Sequence, residues 1–378
     1  MKNLLKLSFV SLCLTFCLFL AACSEKDKDM PTSSEITDSQ NENSSYSIEF
    51  KEKQTAYEEI PLDNFEDFAS HRFYAKDMDS ERLLYLEVDI ENDYALYAKK
   101  LFEIDTKTNA SKEVYSFPPL SFSNTEVFFK DGILLSQDET DSENKTYHQS
   151  LIWSSGSESK VIAQCSSNLH PIYFEVLDSK IIYTTDQNKG LSLNVYDFDT
   201  EEYTHIEPKH TMLENAFSLT KDKILTFEDC GNNAAFIIYD LSGNVLSEIP
   251  FDKNYCMFHY GLLENGIIAS IEEITNEEFM SSKHKLLFID FESSKIYEAD
   301  TDSQFDFYFG NGKCVSFYKD RLYSVNADKN GIVLTDLLLD FNMYKKPKVM
   351  FDKGDVFLPG EWTYENYDTA KKFYKIDL

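Results

Sequence analysis

The chain has 378 residues, with 66 acidic and 36 basic side chains and a formal net charge of −30 at pH 7. This balance excludes a nucleic-acid-binding surface, because phosphates require a basic partner, and argues against binding to anionic lipid headgroups. Apolar residues make up 42% of the chain and aromatic residues 15%, which is enough for a large core and excludes a disordered acidic protein.

The first 22 residues have the proportions of a signal peptide. Lys2 and Lys6 form a short positive region, and the apolar run Leu7 to Leu20 is short for a membrane span. The run ends in Leu20-Ala21-Ala22-Cys23, which resembles the bacterial lipobox, the motif of lipoprotein signal peptides. The resemblance implies cleavage before Cys23 and acyl chains (such as palmitate) on that residue, so the protein is expected at the extracytoplasmic face of the cell membrane. An uncleaved anchor helix with an incidental cysteine is the alternative, and it gives the same location.

Residues 23–45 are predicted to be the lipidated cysteine followed by a flexible tether. They are rich in Ser, Glu, Asp, Asn and Lys, and such a spacer extends about 25 Å. Residues 46–378 are predicted to form the folded domain. Without residues 1–22, the chain keeps 34 basic and 66 acidic residues, a formal net charge of −32.

Four cysteines remain in the folded domain: Cys165, Cys230, Cys256 and Cys314. In an oxidising compartment they could form two disulfides, with three possible connectivities. Because they lack CxxC spacing and three of them lie in or beside apolar runs, free buried thiols are favoured.

Short apolar runs recur along the folded domain and predict repeated strands. One family of runs begins at Arg82, Gly132, Lys180, Lys223, Gly266 and Lys313, and these starts are 50, 48, 43, 43 and 47 residues apart. A second family follows each of them: Leu101–Asp105, Leu151–Ser154, Asn194–Asp197, Ile237–Asp240, Leu287–Asp290 and Leu322–Asn326. Aromatic-rich strands precede the first family, for example Glu126–Phe129, Pro171–Phe174 and Phe305–Phe309.

Four strands in each period of this length are typical of an all-β fold, the β-propeller. The hairpins, such as Tyr239-Asp-Leu-Ser-Gly243 and the Asp-x-x-Thr of Asp197–Thr200, resemble those of quinoprotein-like and related bacterial propeller repeats, and this resemblance implies the fold but no cofactor. Two β-sandwiches are the alternative fold, although the chain has no linker near its middle. Seven blades are predicted, and six or eight stay open.

The two chain ends are predicted to close the ring. Gly360–Tyr364 and Phe373–Asp377 match the two strand families, after which the chain stops one strand short. Tyr46–Phe50 precedes the first blade without a partner, so this N-terminal strand is predicted to supply the missing outer strand and to hide both edges.

The loops between second and third strands open on one face of a propeller, and here they are acidic. The residues proposed as an acidic binding face are Asp89, Glu91, Asp93, Asp138, Glu139, Asp141, Asp186, Glu228, Asp229, Glu272 and Glu273. Only Lys319-Asp320-Arg321 breaks the series, whereas the opposite turns include Lys130, Lys180, Lys221, Lys223 and Lys313. Such a face suits a cationic ligand, a basic protein patch or a metal ion. The alternative is that a chain of this charge has acidic loops everywhere.

No metal site or catalytic centre is predicted. Asp77–Asp79, Asp197–Asp199 and Asp300–Asp302 resemble fragments of calcium loops but lack the Gly and distal Glu, which favours strand-end turns. His205 and His210 could share a zinc ion, yet exposed loop histidines are favoured because no cysteine is near them in sequence. The chain has no G-x-S-x-G elbow, no HExxH and no S-x-D-x-G-x-T-W repeat.

The predicted function is therefore a lipid-anchored extracytoplasmic propeller that binds or scaffolds a protein or small ligand without a cofactor. The alternative is a hydrolase or lyase that acts on glycans or peptides in the central funnel. The two are distinguished by whether carboxylates or a histidine converge in the channel or the acidic rim dominates.

Overall fold

The computed structural model describes residues 46–52, 57–61, 73–79, 81–91, 95–141, 146–166, 172–187, 190–214, 216–231, 233–251, 255–274, 282–310, 312–340, 349–352, 355–360 and 372–378. The signal peptide, Cys23 and the tether lie outside these residues. The compact unit that carries the described residues is Ser45–Leu378. All its described elements are strands, and none of the described residues belongs to a helix that could span a membrane.

The strands form seven antiparallel blades arranged as a ring, so the protein is a seven-bladed β-propeller. Two strands precede the first blade: β1 (Ser47–Glu52) and β2 (Tyr57–Pro61). Blade 1 contains β3 (Phe73–Met78), β4 (Arg82–Glu91), β5 (Ala95–Asp105) and β6 (Ser111–Ser116). Blade 2 contains β7 (Ser121–Phe129), β8 (Gly132–Asp141), β9 (Thr146–Ser154) and β10 (Ser159–Ser166). Blade 3 contains β11 (Phe174–Leu177), β12 (Lys180–Gln187), β13 (Gly190–Asp197) and β14 (Tyr203–Ile206).

The remaining blades follow the same order. Blade 4 contains β15 (Thr211–Met212), β16 (Ser218–Leu219), β17 (Lys223–Asp229), β18 (Ala234–Asp240) and β19 (Val245–Phe251), and both β15 and β16 pair with β17. Blade 5 contains β20 (Tyr255–Leu262), β21 (Gly266–Ile274), β22 (Ser282–Asp290) and β23 (Ile296–Thr301). Blade 6 contains β24 (Asp306–Gly310), β25 (Lys313–Tyr318), β26 (Arg321–Asp328) and β27 (Gly331–Asp340). Blade 7 contains β28 (Met350–Asp352), β29 (Asp355–Gly360) and β30 (Lys372–Asp377).

The prediction of the second strands is confirmed in the first six blades. Each of β4, β8, β12, β17, β21 and β25 begins at the residue that opens the first family of runs. Glycine opens two of them because the backbone is crowded there. A Cβ on Gly132 or Gly266 would lie 2.4 Å from the carbonyl oxygen of Ser154 or Ile289 in the next strand.

Seven apolar clusters hold the ring together, and each lies between two successive blades. Successive side chains of a strand point to opposite faces, so one strand serves two clusters. In β4, Leu83 packs toward blade 7 and Leu84 toward blade 2. The cluster that joins Met78 and Leu83 to Met350 and Phe357 connects the first blade with the last and closes the ring.

Burial follows strand position within each blade. In blade 4, all residues of the third strand β18 are buried except its last, whereas five of the seven residues of the outer strand β19 are at least partly exposed. Middle strands are covered by neighbouring blades on both faces, and outer strands meet water on one side. The apolar runs in the sequence therefore mark middle strands.

The ring is closed by an N-terminal strand, but not by the predicted segment. Strand β2 pairs with β30 as the outer strand of blade 7. The predicted closing segment lies in β1, which instead adds a fifth strand to blade 6, parallel to β27. Packing explains the difference, because Tyr46 and Ile48 cover the cluster between blades 5 and 6 and the Phe50 ring lies 5.8 Å from that of Tyr318.

The last blade also corrects the prediction for its second strand. Gly360 was expected to begin that strand, but it ends β29, whose apolar residues Val356, Phe357 and Leu358 are fully buried. Residues 361–371 lie outside the described residues. The predicted run Phe373–Asp377 lies within β30, as expected.

Three of the four cysteines are free thiols: Cys165 and Cys230 are half-buried, and Cys314 is buried. Cys256 belongs to β20, but its side chain lies outside what the structure describes. Only Cys314 among these matches the prediction of a thiol enclosed in the core.

Candidate functional site

The acidic residues proposed from the sequence lie where second strands end and third strands begin. All second strands run in the same direction along the axis of the ring, so their last residues lie on one face of the propeller. This face is the acidic face. Asp89 is exposed there, and Asp138, Glu139, Asp186, Asp229, Glu272 and Glu273 are half-buried. Five successive blades contribute to this set. Glu91 and Asp141 end β4 and β8, but their side chains and the whole of Asp93 lie outside the described residues.

Several of these carboxylates have partners. The Lys285 ammonium lies 3.3 Å from Glu273 and 3.0 Å from Glu298. The Gln137 amide donates to Glu139 at 2.7 Å. Burial raises the pKa of Asp138. The acidic face is thus a partly neutralised rim rather than a set of isolated charges.

Glu228 does not lie on this rim. It is fully buried and accepts hydrogen bonds from Thr226 Oγ1 at 2.6 Å, Tyr239 OH at 2.7 Å and the backbone N–H of His210 at 2.7 Å. A buried carboxylate needs such donors, and these three tie the segment that enters blade 4 to its second and third strands. Its predicted role in a binding face is therefore replaced by a structural one.

The bases that interrupt the acidic series are themselves paired. Lys319 bonds to Asp302, and Arg321 bonds to Asp336. On the opposite face, Lys130 pairs with Asp199 at 2.8 Å and Lys180 with Asp197 at 2.7 Å. That face is consequently less basic than its lysines suggest.

The opposite face has carboxylates of its own, but they belong to turns. Each turn between third and fourth strands in blades 1, 3, 4, 5 and 6 is capped by the aspartate that ends the third strand: Asp105, Asp197, Asp240, Asp290 and Asp328. Each accepts backbone N–H groups two to four residues ahead. The pKa of all five is lowered, mainly by side-chain bonds from Lys180, Asn244 and Ser293 at Asp197, Asp240 and Asp290 and by the backbone bonds at Asp105 and Asp328. The pKa of Asp197 falls to about 2.

The calcium-loop fragments also serve structural contacts. Asp79 Oδ1 accepts the backbone N–H of Glu81 at 2.9 Å, Asp77 Oδ2 accepts that of Phe128 at 2.7 Å, and Asp197 caps its own turn. The preference for strand-end turns is therefore supported at Asp79 and Asp197, where the carboxylate caps a local turn.

First strands line the central channel, and they bring together ionisable groups that the sequence reasoning missed. Lys76 of blade 1 lies 3.1 Å from Glu126 of blade 2, whose side chain is fully buried and also bonded by Ser123. In blade 3, the Tyr173 hydroxyl donates to Glu175 at 2.8 Å. Burial raises the pKa of Glu175 to about 7.

Blades 4 to 6 continue this channel lining. Burial raises the pKa of Glu214, and nearby His259 opposes the shift. His259 Nε2 lies 3.2 Å from Asp306 of the next blade. Burial thus brings the pKa of Glu175 into the range in which a carboxyl group can exchange protons near neutral pH.

The sequence did contain a signal for these residues. Glu126 begins and Asp306 interrupts an aromatic-rich run that the sequence predicts to be a first strand. A charge in such a strand must face the channel or be paired, because the opposite faces of the blade are apolar. The acidic residues of the loops are more numerous, so the sequence favours the loops over the first strands as the binding site.

One pocket of about 400 Å³ lies away from these groups. It is lined by Ser47, Glu49, Asn265, Asp328 and Asn330, at the junction of β1 with the turns of blades 5 and 6. These residues belong to the outer part of the face opposite the acidic one. The pocket contains none of the channel residues.

Comparison with known proteins finds only distant similarity to solved structures. No protein-family model and no curated protein matches the chain. Among solved structures, the β-propeller domain of the Trilobed protease from Pyrococcus furiosus matches with 10% identity and a TM-score of 0.43, covering 64% of this chain and 78% of that one. An oligogalacturonate lyase in complex with manganese matches with 12% identity and a TM-score of 0.47, covering 87% and 95%. The tricorn protease matches with 10% identity and a TM-score of 0.37, covering 76% of this chain but only 36% of that one.

Proposed function

We propose that this protein is an extracytoplasmic lipoprotein whose propeller binds a basic protein segment or a cationic ligand on its acidic face. One observation carries the proposal: carboxylates from five successive blades end on the same face of a closed ring. The opposite face also has carboxylates, but five of its aspartates cap their own turns, in blades 1, 3, 4, 5 and 6. A rigid ring with charge on one side steers and orients an oppositely charged partner.

Neutralising the acidic face is expected to weaken the binding of a fluorescent decalysine peptide to the full-length protein in detergent. The test variant combines Asp89→Asn, Asp186→Asn and Glu272→Gln from blades 1, 3 and 5. Each lost charge near the ligand costs about 0.3 to 1 kcal/mol, so the dissociation constant should rise about 5- to 150-fold at low salt when three are lost. Fluorescence anisotropy measures it.

The matched control neutralises three exposed aspartates of the opposite face: Asp131, Asp178 and Asp222. Both triple variants change the net charge equally, so general attraction of the peptide is the same in each. Equal weakening in the two variants would contradict a binding role for the acidic face. If the two triple variants differ in affinity at low salt but not at high salt, the result would support an electrostatic binding role for the acidic face.

The location is proposed from the lipobox, and its test is Cys23→Ser. We expect wild type in the membrane fraction and labelled by radioactive palmitate in the cell, because a thiol on Cys23 is the acylation site. Cys23→Ser should lose the label and retain the uncleaved signal peptide, visible as a larger band. A labelled Cys23→Ser protein would contradict this assignment, and Cys165→Ser is the matched control.

A hydrolase or lyase that acts in the central channel is the second candidate, and Glu175 favours it. With a pKa raised to about 7 by burial, and a phenol 2.8 Å away, Glu175 has the character of a general acid–base group. Product release from a panel of polysaccharides and peptides decides between this candidate and a pure binding role.

A further inference from the structure

Three side chains on the rim of blade 4 place a nitrogen, a sulfur and an oxygen ligand together. His210 precedes β15, Cys230 follows β17, and Glu248 belongs to the outer strand β19. Their ligand atoms all lie within 4.8 Å of one another, and His210 Nε2 is 3.4 Å from Glu248 Oε1. His205 is not part of this group, because its ring bonds to Asn194 and Glu207.

We propose that His210, Cys230 and Glu248 form a zinc site. Tetrahedral zinc binds imidazole and carboxylate at about 2.0–2.1 Å, which places two such ligand atoms about 3.3 Å apart. The observed separation of 3.4 Å between His210 and Glu248 fits that geometry. The Cys230 sulfur lies within 4.8 Å of both other ligand atoms, close enough to be the third ligand. Three protein ligands at a partly exposed position leave a fourth for water.

Zinc is the cation that this mixed set suits. Calcium and magnesium take oxygen ligands, whereas imidazole and thiolate together favour zinc among the common divalent ions. A lysine also contacts the site. The Lys209 ammonium bonds to Glu248 Oε2, which leaves Glu248 Oε1 for a metal. The carboxylate would therefore bind through one oxygen.

Glu228 holds two of the three ligands in place. It accepts the backbone N–H of His210 at 2.7 Å, and its own carbonyl oxygen lies 4.0 Å from Cys230 Sγ. Tyr239 and Thr226 in turn fix the Glu228 side chain. The Glu228 carboxylate thus fixes the backbone at His210, and the Glu228 carbonyl lies beside the Cys230 sulfur, so the ligands are held in place before a metal binds. This role is independent of partner binding and of the lipid anchor.

The test is a titration of the reduced full-length protein with Co²⁺ and then Zn²⁺. Wild type should bind one Co²⁺ with a thiolate-to-cobalt charge-transfer band, and one equivalent of Zn²⁺ should abolish the band. Cys230→Ser should remove the band and raise the dissociation constant for Zn²⁺ at least tenfold. His210→Asn and Glu248→Gln should each raise the dissociation constant for Zn²⁺ by a similar factor. Binding of the metal to the wild type should release protons, because the Cys230 thiol must ionise to bind it.

Two matched controls separate this site from the general affinity of an acidic protein for cations. Cys165→Ser removes another half-buried thiol, and His205→Asn removes the neighbouring histidine; both should keep the band and the wild-type affinity. Thermal unfolding without metal checks that each variant is folded. Wild-type binding without a charge-transfer band, or a band retained by Cys230→Ser, would overturn the proposal.

Discussion

Replacing Lys76 with methionine is expected to lower the free energy of unfolding at pH 7 by about 3–5 kcal/mol. The Lys76 ammonium lies 3.1 Å from Glu126, and the Glu126 side chain is fully buried. Methionine keeps the apolar stem but removes the charge, so Glu126 is left in the channel wall with Ser123 as a neutral partner. Breaking a buried ion pair from one side is costly because the remaining charge keeps its desolvation penalty. Urea unfolding measures the difference.

The double variant Lys76→Met/Glu126→Gln distinguishes this cause from a packing effect. The glutamine oxygen still accepts from Ser123, and no buried charge remains, so most of the lost stability should return. Lys107→Met is the matched control, since Lys107 and Glu81 form an exposed pair at 2.7 Å. Its effect should be small compared with that of Lys76→Met, because water and salt screen an exposed pair. A double variant as unstable as Lys76→Met would show that the ion pair is not the cause.

The sequence repeat predicted the blades because the burial of the middle strands requires the same apolar pattern in each blade. Middle strands are covered on both faces, which forces apolar runs such as Gly266–Ala269 and Ala234–Tyr239 to recur once per blade. Outer strands lack that constraint. The assignment of the closing strand failed for this reason: β1 and β2 are both short, mostly exposed and polar, and only pairing across the ring distinguishes them.

The candidate site was less predictable because an acidic residue in a sequence does not reveal how deeply its side chain is buried. Glu228 and Asp229 are adjacent acidic residues at the end of one strand, yet Glu228 is buried and Asp229 is half-buried. Period-two alternation separates them, but the strand register has to be known first. The group of His210, Cys230 and Glu248 spans three segments of blade 4, and no spacing rule joins residues that only the sheet brings together.

The contribution of Glu175 to the stability of the protein should fall as the pH rises from about 4.5 to about 7. Its pKa is about 7 in the folded chain because of burial, against an ordinary value of 4.5. The folded state therefore holds this proton more tightly than the unfolded state. The stabilising contribution is complete below pH 4.5, declines between pH 4.5 and 7, and is lost above that range.

Glu175→Gln removes this titration while keeping the geometry, since its side-chain oxygen can accept the bond from Tyr173. Wild type and variant should be nearly equally stable at pH 4.5. At pH 8 the variant should be more stable by up to about 3 kcal/mol, the free energy that corresponds to a pKa change from 4.5 to about 7. Thermal unfolding across this pH range measures both values.

Glu201→Gln provides a control of opposite sign. The Lys160 ammonium lowers the pKa of the exposed Glu201 carboxylate, so its contribution is present above the ordinary pKa and is lost as the pH falls. Its replacement should slightly reduce stability at pH 8, where Glu175→Gln increases it. A Glu175→Gln difference that stays constant from pH 4.5 to 8 would show that folding does not raise the pKa of Glu175. It would remove the basis for a proton-exchanging group in the channel.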